Sequence, residues 1–328
     1  MSTLDFIAVG DTVVDDFIKL RDARVHCRIA DEDCEICMRF GDKVPFESST
    51  ILYGVGNAAN AAVAAQRLGL SAGLVTNMGA DAHGDAILKA HRSAGLDTSF
   101  EVQHEGAPTN YHYVLWYEDE RTILINHHRY PYVFPDSLPE PRILYFSSIA
   151  PGTESYHDAV AAYLERYPNI FFCFQPGTFQ ISLGPTRLAV LYRRANLCVV
   201  NKEEAQRILG LPDTADDVPE LLQKLAALGP KVVVISDDTR GAYALENGNV
   251  IHLPMYHAPE PPREKTGAGD AFTATTCALY ATGMPLKDAM RRGMVNASFV
   301  VQRVGAQEGL ATRDMLDAAL AQPTDEIQ

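Results

Sequence analysis

The stretch KTGAGDAF, residues 265 to 272, sets three of the smallest residues, Gly267, Ala268 and Gly269, directly before a carboxylate, Asp270. It stands at the mouth of an apolar run, AFTATTCALYATG, that reads as a helix. A helix start carries unsatisfied N–H groups and the positive end of the helix dipole. Gly and Ala let those groups come close to an anion, so 267–269 has the makings of an anion hole. Asp270 would repel a phosphate resting there. Its presence makes sense if it takes a proton from a hydroxyl that then attacks the phosphate. A plainer reading is also open: Thr266 caps the helix, and Asp270 merely favours the dipole in its first turn.

Chemistry of this kind needs a frame. The runs LDFIAVG (4–10), SAGLVTNMG (71–79), RILYFSSIA (142–150), NIFFCFQPG (169–177), ANLCVVN (195–201) and KVVVISDD (231–238) are short, apolar and rich in β-branched or aromatic residues. They read as buried parallel strands. Helical patterns fall between them, at 57–69, 83–95, 155–167, 202–210 and 218–229, and several end in Gly. Two more helices start at about 268 and about 286. Alternating strands and helices predict an α/β fold of three layers, a central mostly parallel sheet covered on both faces. Two segments, 12–52 and 100–134, break the rhythm and read as antiparallel strands that form a small second sheet over the main one. The last residues, QPTDEIQ, read as frayed.

Five motifs carry a resemblance. TGAGDAF matches, without a change in its core, the C-terminal signature of the ribokinase-like (phosphofructokinase-B) family of sugar and nucleoside kinases. GVGNAANAAVAAQRLG (54–69) resembles that family's N-terminal glycine-rich signature, although Val55 separates Gly54 from Gly56 where the family usually has adjacent glycines. VGDTVVDDF (9–17), NKEEA (201–205) and ISDDTRGAY (235–243) resemble its remaining site elements, with Asp238 in place of a glycine.

The resemblance covers nearly the whole chain and implies a single ribokinase-like domain with a β-sheet lid. It makes Asp270 the catalytic base and Gly267, Ala268 and Gly269 the holders of the transferred phosphoryl group. Asp15, with Asp11 beside it, and Gly56, Asn57 and Asn60 would bind the acceptor's hydroxyls. A carboxylate that accepts two O–H bonds suits a vicinal diol. Asn201, Ser236, Gly241, Thr266 and Asn296 would line the nucleotide site. Glu204 and Asn201 would organise a hydrated Mg²⁺ on the phosphates of ATP, in keeping with a hard cation that has few protein ligands. Glu264 leaves activation by a monovalent cation such as K⁺ open. The implied reaction is ATP-dependent phosphorylation of a primary hydroxymethyl on a ribose-like sugar. The alternatives are a nucleoside kinase that makes the 5′-monophosphate and a non-catalytic relative that binds sugar or nucleotide.

Bulk properties narrow the field. The 328 residues carry 28 basic and 42 acidic side chains, a net charge of −14, which argues against nucleic acid or anionic membrane as a general partner. No apolar run has membrane-spanning length, and MSTLDFIAVGD lacks a basic leader, so a cytoplasmic protein is expected. Reduced thiols are the simplest reading of the six cysteines, with zinc on Cys27, Cys34 and Cys37 as the lesser option. In NYHYVLWYE, Tyr111, Tyr113, Leu115 and Tyr117 share one face while His112, Val114 and Trp116 share the other. Two-sided burial, at a homodimer contact through the lid or against the main domain, is preferred over an aromatic wall over the substrate.

Overall fold

The computed structural model describes residues 4–21, 23–29, 32–118, 120–256, 258 and 260–321; the side chains of 27–33 and the stretch QPTDEIQ lie outside the described residues. In chain order the strands are β1 (Phe6–Val9), β2 (Val13–Leu20), β3 (Arg24–Ile29), β4 (Glu32–Cys37), β5 (Phe46–Val55), β6 (Ala72–Gly79), β7 (Glu101–His104), β8 (Tyr111–Tyr117) and β9 (Glu120–Leu124). They continue with β10 (Ile143–Phe146), β11 (Phe171–Phe174), β12 (Leu197–Asn201), β13 (Val232–Ser236), β14 (Ala242–Glu246) and β15 (Asn249–Leu253). The helices are α1 (Asn57–Arg67), α2 (Ala82–Ser93), α3 (Glu154–Arg166), α4 (Thr178–Arg187), α5 (Ala189–Arg194), α6 (Lys202–Leu209), α7 (Val218–Ala226), α8 (Ala268–Ala281), α9 (Leu286–Val300) and α10 (Arg313–Ala321).

The main sheet runs β15-β14-β13-β12-β11-β10-β1-β6-β7. Every neighbouring pair from β13 to β7 is parallel, while β14 and β15 are antiparallel additions at one edge. Strand alternation explains why both faces are covered. Ile7, Val9, Leu144, Phe146, Phe172 and Phe174 pack under α3, α5, α6 and α7. Phe6, Ala8, Ile143, Tyr145, Cys173 and Leu197 pack under α1, α8 and α9. The six alanines that α1 buries let it lie close to the sheet.

The chain leaves β1 toward β6 and later returns to β10 on β1's other side. That reversal opens a crevice at the carboxyl ends of β1 and β10, where open α/β sheets bind ligands. The second sheet, β5-β2-β8-β9, stands over this end. Two expectations need correcting. The lid is not wholly antiparallel, because β2 and β8 run parallel, and β7 belongs to the edge of the main sheet. The first follows from connection length: the 55 residues between Val55 and Tyr111 pass through the core, so β8 enters the lid from the same end as β2. The edge hairpin β14–β15 and helices α4, α5 and α10 were not anticipated; β14 and β15 are only five residues each, so their pattern is weak.

The hairpin β3–β4 forms its own two-stranded sheet and carries three of the cysteines. Cys34 is disulfide-bonded, whereas Cys37, Cys173, Cys198 and Cys277 are free, so the expectation of reduced thiols throughout does not hold. No group of three or more His, Cys, Asp or Glu side chains is arranged to hold a metal ion among the described residues. Nor is any described helix long and apolar enough to cross a membrane.

Phe174 is fully buried, with ring centroids 5.9 Å from Phe146, 6.0 Å from Phe172 and 5.2 Å from Tyr192. The next residue, Gln175, faces the crevice. Phe174→Ala is expected to cost about 3–5 kcal/mol of stability by opening a cavity there. A urea titration checks this, and an unchanged midpoint would contradict the packing described.

Candidate active site

Asp270 lies in the first turn of α8 and is buried, 8% exposed. Three amide groups donate to its carboxylate. Asn57 Nδ2 reaches Oδ1 at 2.9 Å, Asn60 Nδ2 reaches Oδ2 at 2.8 Å and Gln175 Nε2 reaches Oδ1 at 3.4 Å. Asn57 and Asn60 are three residues apart on α1, so one helix face presents both amides.

Two of these amides are held the right way round. Asn60 Oδ1 accepts from Gln307 Nε2 at 3.0 Å, which leaves its N–H groups for Asp270. Gln175 Oε1 accepts from the Tyr145 hydroxyl and, at 3.3 Å, from the Ser147 hydroxyl. Burial pushes the Asp270 carboxyl above the ordinary aspartate range, and the hydrogen bonds from Asn60, Asn57 and Gln175 pull the other way without overcoming it. A partly desolvated carboxylate of raised basicity, with room left on Oδ2, is suited to accept a proton.

The turn before Asp270 is shaped by Gly267, which has φ 81° and no room for a Cβ against Ala306. The first N–H groups of α8 therefore open toward the groove without a side chain in the way. Thr266 donates its N–H to Glu264 Oε2 at 2.7 Å, while Gly305 N–H reaches Glu264 Oε1 at 2.8 Å. Both oxygens of the buried Glu264 are thus engaged with backbone, which fixes the turn. The Thr266 hydroxyl is buried without a partner, so it does not cap the helix.

A groove of about 410 Å³ runs up to Ala268 and Gly269. Met255, Tyr256, Phe272, Met294 and Ala297 give it apolar walls, and Ser236, Asp238 and Gly241 line its other side. Asp238 has φ 39°, a conformation that favours glycine and that Asp tolerates better than most residues. Asp237 faces away from this role and pairs with Arg240 at 2.7 Å and Lys202 at 3.5 Å. Asn296 is fully buried: its amide donates to Thr275 Oγ1 at 2.8 Å and its oxygen accepts from Ala311 N–H at 2.8 Å. No atom of that side chain is left for a nucleotide, and Met294, Ala297 and Ser298 of the same helix line the groove instead.

Asn201 caps α6 and forms a reciprocal box with Glu204, whose Oε2 accepts from Asn201 N–H at 2.9 Å. Burial raises the Glu204 carboxyl, and the charge of Asp270 adds to the rise. A buried carboxylate whose ionisation a neighbouring carboxylate opposes is a group that a divalent cation bound largely through water would suit.

At the other side of Asp270, Gly56 has φ 116° and a Cβ there would sit 2.9 Å from the Asp11 carbonyl oxygen, so the start of α1 nests against the end of β1. Gly54 also has positive φ, and Val55 between them is a buried strand residue paired with Val13. Asp11 accepts the Tyr132 hydroxyl on Oδ1 at 2.7 Å. Asp15 is buried in β2 beside His112. Asp16 points to the lid's opposite face, where it accepts from the Tyr111 hydroxyl at 3.2 Å. That face carries Tyr53, His83, Tyr111 and Tyr113 in ring contact, so the tyrosines do not wall the acceptor site. Gln175, Tyr145, Gln307, His112 and Tyr132 are the site residues that sequence reading did not assign. The ending of a buried strand on a lone amide, FCFQ, is the one signal that pointed to Gln175.

If Asp270 serves as a base, its carboxylate is the active form, and activity is lost as pH falls through its pKa. Because burial raises that pKa, the acid limb of kcat/KM is expected above the ordinary aspartate value. Asn60→Ala removes a hydrogen bond that lowers it, so the limb moves to higher pH, with plateau kcat reduced by about tenfold or less. A limb that stays put or moves down in the pH–rate profile would break the link between Asn60 and the base.

The chain's residues 28–313 match the model of the pfkB family of carbohydrate kinases. It is 26% identical over 286 residues to a 5-dehydro-2-deoxygluconokinase of Shouchella clausii, covering 81% of this chain and 86% of that protein. It is 26% identical over 272 residues to a nucleoside kinase of Methanothermobacter thermautotrophicus, covering 79% and 81%. The structure of Arabidopsis thaliana ribokinase complexed with ribose and ATP superposes with a TM-score of 0.81 at 20% identity, covering 98% of this chain and 100% of that one. With a family match across most of its length and the ribokinase-like fold, this chain belongs to the pfkB family of carbohydrate kinases.

Proposed function

We propose that the protein transfers the γ-phosphoryl group of ATP to a primary hydroxymethyl of a ribose-like sugar. The observation that carries this reading is the place of Asp270. It follows directly on the small-residue backbone where the groove ends, and it binds Asn57, whose neighbour Gly56 packs against Asp11, an acid that with Asp15 would suit a diol. The nucleotide occupies the groove with its base against Met294 and Ala297 and its phosphates toward Gly267, Ala268 and Gly269. Asp270 takes the proton from the acceptor hydroxyl, and the first-turn N–H groups of α8 face the charge that develops. Mg²⁺, organised by Glu204 and Asn201, would neutralise phosphate charge when bound. The lid excludes water, which otherwise competes as the acceptor. Lys265, beside the groove, pairs with Glu120 at the start of β9 at 2.6 Å and ties that lid to the phosphate turn.

A nucleoside acceptor is the second reading, favoured by the match to a nucleoside kinase. A panel of ribose, fructose, adenosine, cytidine, guanosine and inosine assayed by ADP release separates the two. In the same assay Asp270→Asn is expected to lower kcat by roughly two to four powers of ten with folding intact. Turnover near the wild-type rate would reject Asp270 as the base.

The lid also supports a homodimer. Ile51, Tyr113 and Leu124 align across the ladder on its outer face and are 43%, 46% and 50% exposed. Tyr113→Arg is expected to convert a dimer to a monomer in light scattering. A monomeric wild-type protein at micromolar concentration would end this part of the proposal.

A further inference from the structure

The acceptor side of the lid holds an unusual chain of ionisable groups. Asp15 Oδ1 lies 3.3 Å from His112 Nδ1. His112 Nε2 lies 3.2 Å from His127 Nε2, with ring centroids 5.0 Å apart. His127 Nδ1 lies 3.5 Å from Asp11 Oδ2, and Asp11 Oδ1 takes the Tyr132 hydroxyl. The four side chains are between 4% and 13% exposed. Asp15 and His112 belong to the lid strands β2 and β8, His127 to the return segment after β9, and Asp11 to the end of β1 in the main domain. The chain therefore crosses from lid to core. Phe179 packs its ring at 82° to His127, 5.7 Å away, and so places the turn that begins at Gln175 against the same bridge.

Hydrogen counting restricts what this chain is. Three contacts, Asp15–His112, His112–His127 and His127–Asp11, each need a hydrogen. Two neutral imidazoles supply two, so a complete bridge holds one proton more. Every imidazole nitrogen is then engaged within the bridge, and none is left for a ligand. The outer lone pairs of Asp11 and Asp15 are what remain to meet hydroxyl groups. Asp11 Oδ2, Asp15 Oδ1 and His127 Nδ1 are buried without a close hydrogen bond, a costly arrangement that shortening of the two carboxylate contacts would relieve.

We propose that His112 and His127 are positioning residues that join Asp11 and Asp15 into one proton-sharing unit, so that the acceptor's vicinal hydroxyls are read only when the lid is seated on the core. This rests on the kinase reading above and adds to it how the two acids that meet the acceptor's hydroxyls are held in place across the lid and the core. The histidines touch the acids and not the reacting atoms.

The test compares wild type, His127→Phe and His127→Asn in the full-length protein, on whichever acceptor turns over and on its analogue lacking one hydroxyl of the vicinal pair. His127→Phe keeps the ring volume and removes the bridge. It is expected to raise the acceptor KM by about tenfold or more with kcat within about threefold and the KM for ATP unchanged. On the deoxy analogue, wild type and variant should have nearly equal KM, because the interaction is already lost. His127→Asn keeps a donor toward Asp11 and should recover part of the effect. A fall in kcat with KM unchanged, or an equal KM penalty on both acceptors, overturns the proposal.

Imidazole nitrogen NMR of the wild-type protein gives a second measurement that needs no variant and no turnover. Three hydrogens shared over the four ring nitrogens uphold the bridge, and two neutral, uncoupled rings overturn it. If no acceptor is phosphorylated, the kinase reading fails and the NMR result alone decides the bridge.

Discussion

A charged carboxylate kept out of water and ringed by amide N–H groups is the interaction on which the rest of the site depends. Burying Asp270 opposes its ionisation, and the three amides recover part of that cost by hydrogen-bonding the charged form. An amide helps only with its nitrogen side inward, because its oxygen would repel the carboxylate. The orientation is therefore enforced from behind, by Gln307 on Asn60 and by Tyr145 and Ser147 on Gln175. These partners come from β10, the segment after it, and the C-terminal loop. The reaction centre thus draws on elements far apart in sequence that the sheet order brings to one crevice.

The sheet does this through alternation. Phe174 and Gln175 are neighbours in the chain, yet the first fills the core beneath the helical layer while the second turns to Asp270. Tyr145 lies on the α8 side of the sheet and sends only its hydroxyl to Gln175. Burial pushes that phenol well above its ordinary value, so it stays a hydroxyl that can donate. Such groups combine packing and polar direction in one side chain, which is why a large buried Tyr is tolerated so near a carboxylate.

Much of the frame was legible beforehand because buried parallel strands announce themselves as apolar runs. Helices α1, α2, α3, α6 and α7 carried amphipathic spacing between them. Asp270 and the 267–269 turn could be picked out because TGAGDAF resembles a family signature; the residues alone left a plain helix-capping reading open. The polar supports could not. Tyr145 and Phe174 look alike in a strand pattern, and nothing local distinguishes Gln307 from any loop glutamine. Asn296 shows the converse: a polar residue on a helix near the groove invites a ligand role, while its burial and its bonds to Thr275 and Ala311 place it among the internal struts. The parallel β2–β8 pairing was equally hidden, since alternation fixes which face a residue takes but not which way a partner runs.

Lys265 stands at a junction of charges, on the rim of the groove and in an ion pair with Glu120 of the lid. A polyanion entering the groove and the glutamate compete for one ammonium group. Thermodynamic reciprocity then requires that an anion bound there weakens the ion pair by the same free energy as the ion pair weakens the binding of that anion. The pair is partly exposed, so ionic strength acts on both sides of that balance. Rising ionic strength therefore loosens this one tie between strand β9 and the turn that precedes α8.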